Sequence, residues 1–139
     1  MKFMSPIAAM LLVAGPAFAE DHSADDVHWH ITMTVNEGKA DAVQPLLDKM
    51  VAATFADEPG ALTYDYMGAG DQVYIYERYA DNAAAMVHMG NFGAKFAGEF
   101  LSTFSLTSLA VYGPAEDDLK KVFEGLPATY YPQIVGFSR

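Results

Sequence analysis

The chain of 139 residues has no cysteine, one tryptophan, and only 8 lysines and arginines against 18 acidic side chains. Without cysteine there is no disulfide and no thiolate nucleophile, so the fold must hold by packing alone. The shortage of basic residues argues against nucleic acid and anionic lipid headgroups as partners, because an acidic surface repels both. The acid excess serves solubility, and it leaves neutral, cationic or aromatic molecules as the ligands that the charge favours. Also missing are a glycine-rich phosphate loop, a G-x-S-x-G elbow and a dinucleotide fingerprint. Any oxidation would then run without an added cofactor, or with a ligand such as haem serving as cofactor and substrate at once.

Long apolar runs are scarce as well. The one at the start comes after Lys2, covers Ile7 to Ala14, is broken by Pro16 and ends in Ala17-Phe18-Ala19 before Glu20. This pattern predicts a secretory signal peptide over residues 1–19, with an apolar core too short to span a bilayer. A buried N-terminal helix would need its apolar residues on one face, and here they run all round. The expectation is a periplasmic or secreted protein that begins at Glu20 and has no membrane attachment after cleavage. Loss of Lys2 with the leader takes the net charge from −10 to −11. Residues 20–26, Glu-Asp-His-Ser-Ala-Asp-Asp, read as a flexible arm.

The expected mature chain, residues 20–139, is one domain in size. Val27 to Val35 alternates, with Val27, Trp29, Ile31 and Met33 on one face and His28, His30, Thr32 and Thr34 on the other, which predicts a half-buried strand. Lys39 to Asp57 carries helical spacing, starting near Asp41 with some distortion at Pro45. Glu58-Pro59-Gly60 stops it. Strands are expected at Leu62 to Met67 and Val73 to Tyr79, joined by a hairpin loop at Gly68 to Asp71. Asp81 is a natural N-cap for a second helix, in which Gly90 and Gly93 predict a break near residues 90–94. A fourth strand at Leu106 to Tyr112, a short acidic helix at Ala115 to Glu124 and an edge strand or arm at Tyr130 to Phe137 complete the chain. The order β-α-β-β-α-β is the ferredoxin-like arrangement, an α+β fold with helices on one face of the sheet. The other face needs a cover, so we expect a homodimer through strand faces carrying His30, Thr32, Ile75 and Glu77.

Four groups could carry chemistry. His88 lies two turns into the second helix, beside Asn91 and the core stripe of Met89 and Phe92. It reads either as a general base toward a phenolic or enolic proton or as a partly buried histidine satisfied by a backbone carbonyl. Trp29, Tyr64, Tyr66, Tyr74 and Tyr76 form either a flat aromatic cleft or an ordinary core. Glu77 and Arg78 point to opposite faces and cannot pair with each other; a structural ion pair, formed across a dimer, is the role expected of Glu77. His28-x-His30 could supply two imidazoles to a metal, but spacing provides no third ligand, and no metal site is assigned.

Glu58-Pro59-Gly60-Ala61-Leu62-Thr63-Tyr64, the strand end Tyr76-Glu77-Arg78-Tyr79, and Asp81, Ala84, His88 and Asn91-Phe92 together resemble the antibiotic biosynthesis monooxygenase (ABM) family. The resemblance implies a dimeric α+β barrel over residues 27–113, with 114–139 as a C-terminal helix and arm beyond the common domain. It implies a pocket between the sheet and its own helices. Some members oxidise phenols or quinols with no added cofactor, so the resemblance implies a cofactor-independent monooxygenase acting on a quinol or polycyclic phenol. His88 would be the catalytic base, and Trp29, Tyr64, Tyr66, Tyr76, Asn91 and Phe92 would bind the small aromatic substrate. Haem-degrading members carry an Asn in the first strand, where this chain has Ile31-Thr32-Met33-Thr34. A noncatalytic dimeric module for small aromatic ligands, and a haem-related enzyme or isomerase on the same fold, are the alternatives.

Overall fold

A computed structural model describes residues 25–136. The leader, most of the expected arm and the last three residues lie outside them. The elements are β1 (Val27–Val35), α1 (Ala40–Asp57), β2 (Ala61–Ala69), β3 (Gln72–Tyr79), α2 (Asn82–Lys95), α3 (Ala97–Thr103), β4 (Phe104–Tyr112), α4 (Asp117–Val122) and β5 (Ala128–Tyr131). They build one sheet in the order β2-β3-β1-β4-β5. The first four strands pair antiparallel and make the ferredoxin-like core, as expected. β5 adds to β4 in parallel at the edge of the sheet, so an edge strand forms, but over Ala128–Tyr131 and not over the expected Tyr130 to Phe137.

Burial along β1 alternates strictly at first. Val27, Trp29, Ile31 and Met33 are buried on the helix side, while His28, His30 and Thr32 are half-buried on the other. In β3 the buried set is Val73, Ile75, Glu77 and Tyr79. The register pairs Trp29 with Glu77 and Ile31 with Ile75, and direct partners in an antiparallel pair share a face. This corrects the expected dimer face. His30 and Thr32 pair with Tyr76 and Tyr74 on the outer face, whereas Ile75 and Glu77 point under the helices. One residue of offset in the pleat separates the two sets.

The second helix also differs from expectation. α2 passes Gly90 and Gly93 without interruption, and the chain bends only at Phe96 before α3. Tertiary contact from Ala85 and His88, both buried, outweighs the ~1 kcal/mol that each glycine costs a helix. The Asp81 cap forms as its chemistry requires: its carboxylate accepts from the Ala84 N–H at 2.8 Å. Asp26, assigned to the flexible arm, is only 6% exposed and pairs with Arg78, whose Nε donates to Oδ2 at 2.6 Å. The C-terminal extension joins the core, with Leu119 and Phe123 buried. Asn82 fastens it to the start of α2: its Nδ2 donates to Asp118 at 2.9 Å, and its Oδ1 accepts from the Glu116 N–H at 2.9 Å.

Candidate functional site

Glu58 ends α1, where its N–H bonds back to the Thr54 carbonyl at 3.0 Å. Pro59 and Gly60 then turn the chain tightly against α2. A Cβ on Gly60 would lie 2.6 Å from the Ala84 Cβ, so only glycine permits this approach. The approach brings the Glu58 carboxylate to the side of α2, where Oε2 lies 2.8 Å from His88 Nδ1 and Oε1 accepts from Asn91 Nδ2 at 3.0 Å. His88 and Glu58 are 4% and 6% exposed. The Asn91 amide donates to one carboxylate oxygen and the other holds the His88 ring with Nδ1 toward it, so the ring orientation is fixed from behind.

The other ring nitrogen faces a second acid. His88 Nε2 is 3.4 Å from Glu77 Oε2, which also accepts from the Tyr79 hydroxyl at 2.7 Å. Burial pushes the Glu77 carboxyl above the usual carboxylate range, against the opposing pull of His88 and the Tyr79 hydrogen bond. The phenols of Tyr79, Tyr64 and Tyr66 are raised well above their ordinary value, chiefly by burial and next by the nearby Glu77, so they remain hydroxyl donors. The result is a buried row of carboxylate, imidazole and carboxyl. The two acids flank opposite nitrogens of one ring, so they do not converge on a point as metal ligands do; among the described residues no cluster of three or more His, Asp or Glu could hold a metal.

His88 and Glu77 of this row form part of the wall of a cavity of about 270 Å³ between the sheet and its helices, with Glu58 behind the His88 ring. Trp29, Ile75 and Glu77 come from β1 and β3, Tyr64 and Tyr66 from β2, and His88 and Phe92 from α2. The Tyr66 hydroxyl donates to Tyr64 at 2.8 Å, and the rings of Tyr64 and Tyr79 lie 5.3 and 5.1 Å from His88. Of the residues named from sequence, Trp29, Tyr64, Tyr66, His88 and Phe92 therefore meet. Asn91 stands behind the wall and holds Glu58. Tyr76 does not join them: it pairs with His30 on the outer face, and its hydroxyl contacts His28 Nδ1 at 3.1 Å. Tyr74 lies on that face too, with its ring 5.8 Å from His30.

The profile of the antibiotic biosynthesis monooxygenase family matches residues 26–95. The chain belongs to the antibiotic biosynthesis monooxygenase family. Similar solved structures share its fold at low identity. MupZ from Pseudomonas fluorescens has 23% identity and a TM-score of 0.73, covering 83% of this chain and 95% of its own. An antibiotic biosynthesis monooxygenase family candidate from Caulobacter crescentus CB15 has 21% identity and a TM-score of 0.57, covering 67% and 92%. SnoaB from Streptomyces nogalater, a cofactor-independent oxygenase, has 16% identity and a TM-score of 0.54, covering 67% and 96%. No curated protein matches the sequence.

Sequence reasoning missed three parts of this ABM-family site. Glu58 read as a helix stop and as part of the family motif, with no role in the site, although it is the partner that fixes the His88 ring. Glu77 read as half of a dimer ion pair, yet it faces the cavity of its own chain. The signal was present: an acid among Val73, Ile75 and Tyr79 on an otherwise apolar inward face. The third part is the extension. Val122, Phe123 and Leu126 line the cavity, and Phe123 packs edge-on against Trp29 at 5.3 Å. These residues lie beyond the span of the family profile.

Proposed function

We propose that the protein is a cofactor-independent monooxygenase that oxidises a small phenol or quinol in this cavity. The observation that carries the reading is the 2.8 Å contact between buried Glu58 and His88 at the wall of an apolar cavity. An imidazole oriented by a carboxylate is a general base, and one that faces an apolar site takes a proton without competition from bulk water. His88, with Glu77 beside it, removes the hydroxyl proton of the substrate. The electron-rich anion reduces dioxygen and is joined by it at a ring carbon. Loss of water then leaves a quinone. One oxygen atom enters the product, the other leaves as water, and the two hydrogens of that water come from the hydroxyl and the ring carbon. Family membership and the likeness to SnoaB support this reaction class.

The test is oxygen uptake with a panel of quinols and phenols, with product formation measured in air and under argon. Uptake matched to product supports the oxygenase. Product formed equally without oxygen favours a second reading, an isomerase-type proton shift, which the acids on both sides of His88 support. Tight binding with no product favours a binding module.

We further propose that the protein works after export, with a mature chain beginning at Glu20, and as a homodimer. What supports the dimer is the outer sheet face, where the buried atoms Asp26 Oδ1 and His30 Nε2 have no hydrogen-bond partner. A second copy packed on His28, His30, Tyr74 and Tyr76 would cover that face. Light scattering that gives a monomer at micromolar concentration rejects the dimer. Intact mass of exported protein that still includes Met1 rejects the cleavage.

A further inference from the structure

Two polar groups in the cavity wall have no part in the proposed proton transfer. The Trp29 indole N–H is buried without a hydrogen-bond partner, in a side chain 1% exposed. It lies near enough to Glu77 to favour the charged carboxylate, yet makes no hydrogen bond of ordinary geometry with it. The second group is Glu77 Oε1. The contacts of this carboxyl with Tyr79 and His88 both fall on Oε2, which leaves Oε1 for a ligand. Buried donors are seldom left unpaired, so one that lines a cavity is a donor set aside for a ligand's acceptor.

The register fixes how far apart these groups sit. Trp29 and Glu77 are direct cross-strand partners, side by side on the inner face of the sheet. A ligand that meets both must carry its two oxygens close together. A carboxylate is the wrong head group, because Glu77 already places an acid in this wall and Glu58 places another behind His88. The mouth is of a different character. Leu101, Val122 and Leu126 line the cavity and are nonetheless 57%, 41% and 41% exposed, an apolar rim open to solvent. The enclosed volume of about 270 Å³ is below the roughly 300–1,000 Å³ of most ligand pockets, so part of a larger ligand would rest on that rim.

We propose that the site takes an amphiphilic molecule whose enclosed head has oxygens on neighbouring carbons, an acceptor for the Trp29 indole N–H and a hydroxyl for Glu77, with its apolar remainder lying over Leu101, Val122 and Leu126. This rests on reading the cavity as the ligand site and names the class of molecule that fits it.

The probes are α-hydroxyacetophenone, which has both oxygens, acetophenone and phenethyl alcohol, which have one each, and phenylacetate. Affinity is measured by calorimetry, and the indole N–H resonance is followed by NMR, where a chain with one tryptophan has one such signal. α-Hydroxyacetophenone is expected to bind about tenfold tighter than either single-oxygen probe, to shift the indole resonance downfield, and to leave phenylacetate weakest. Trp29→Phe should erase its advantage over phenethyl alcohol, and Glu77→Leu its advantage over acetophenone. If either variant fails to fold, the ranking and the resonance of the wild-type protein decide alone. Equal affinities for the four probes, or binding that leaves the indole resonance in place, overturns the proposal. Oxygen uptake has no part in this measurement. The expected ranking without any uptake retains the head-group assignment and removes the oxygenase, whereas uptake with unranked probes does the reverse.

Discussion

Glu77 and Arg78 are neighbours in β3, and the sheet sends them to different surroundings. On the helix side, Glu77 is 3% exposed, beside the His88 ring and the Tyr79 hydroxyl in an apolar cavity. On the outer side, Arg78 pairs with Asp26 while its own side chain remains 27% exposed. Both sides hold an acid and a base in contact. On the inner side both partners are buried, so a change of charge there is costly and a proton is held against a ligand rather than against bulk solvent. On the outer side solvent reaches Arg78 but not Asp26, and the pair ties the start of β1 to β3. Contact between opposite charges is thus no mark of a functional site; the mark is contact in a buried wall that faces a cavity.

The largest expected difference between the two sides comes from deleting His88. His88→Ala should leave Glu58 and Glu77 buried with no base between them, at a cost of about 3–5 kcal/mol in stability. Turnover of any substrate should fall by roughly 10²-fold or more. Denaturant unfolding beside kcat checks both. A variant of unchanged turnover would make His88 a structural residue.

Gly60→Ala acts on the same row at a distance. The new methyl would meet the Ala84 Cβ at 2.6 Å, so α2 must move away and draw His88 from Glu58. We expect a loss of about 1–3 kcal/mol and reduced kcat, both partly restored by adding Ala84→Gly. Full stability in Gly60→Ala alone would show that the contact gives way at no cost. Arg78→Ala on the outer side should cost less, about 1–2 kcal/mol, and leave kcat within about twofold. A large loss of kcat there would remove the distinction between the faces.

The contrast between the faces also explains what could be read from sequence. Period-two alternation identified β1 and its buried face, and Asp81 announced its helix, because these signals are local. Trp29, Tyr64, Tyr66, His88 and Phe92 were all named, since an aromatic inward face and a histidine beside a core stripe imply nearness to a cavity. The Glu58–His88 contact spans 30 positions and depends on the Gly60 approach, which no periodicity encodes. Tyr76 was placed in the cleft, and Ile75 and Glu77 on the dimer face, for one reason: alternation within a strand leaves open which parity faces the helices. Pairing with β1 settles it. The covering role of Val122 and Phe123 depends on β5 returning beside β4, a parallel pairing that the Pro132-containing tail did not foretell.

The smallest effect separates the two faces by sign. Burial raises the Glu77 carboxyl above its ordinary 4.5 in the folded protein. Just above pH 4.5 the folded state therefore keeps a proton that the unfolded state has lost, so this group's contribution is complete at lower pH and declines as pH rises through the folded value. His28, on the outer face, is lowered from 6.5, first by burial and then by Arg78. Below pH 6.5 the unfolded state takes a proton that the folded state resists, so stability is present above that value and is lost on acidification. The Glu77 slope begins above pH 4.5 and the His28 slope lies below pH 6.5, so where the two titrations overlap they oppose each other. Glu77→Gln should make stability rise more steeply with pH across this window, by at most about 1.4 kcal/mol per unit, the limit for one proton. His28→Asn should tilt it the other way, and less, because that ring is only half-buried. Unfolding midpoints of the wild type and both variants at several pH values check the signs. Parallel changes in the two variants would mean that the inner and outer faces do not differ in how they hold a proton.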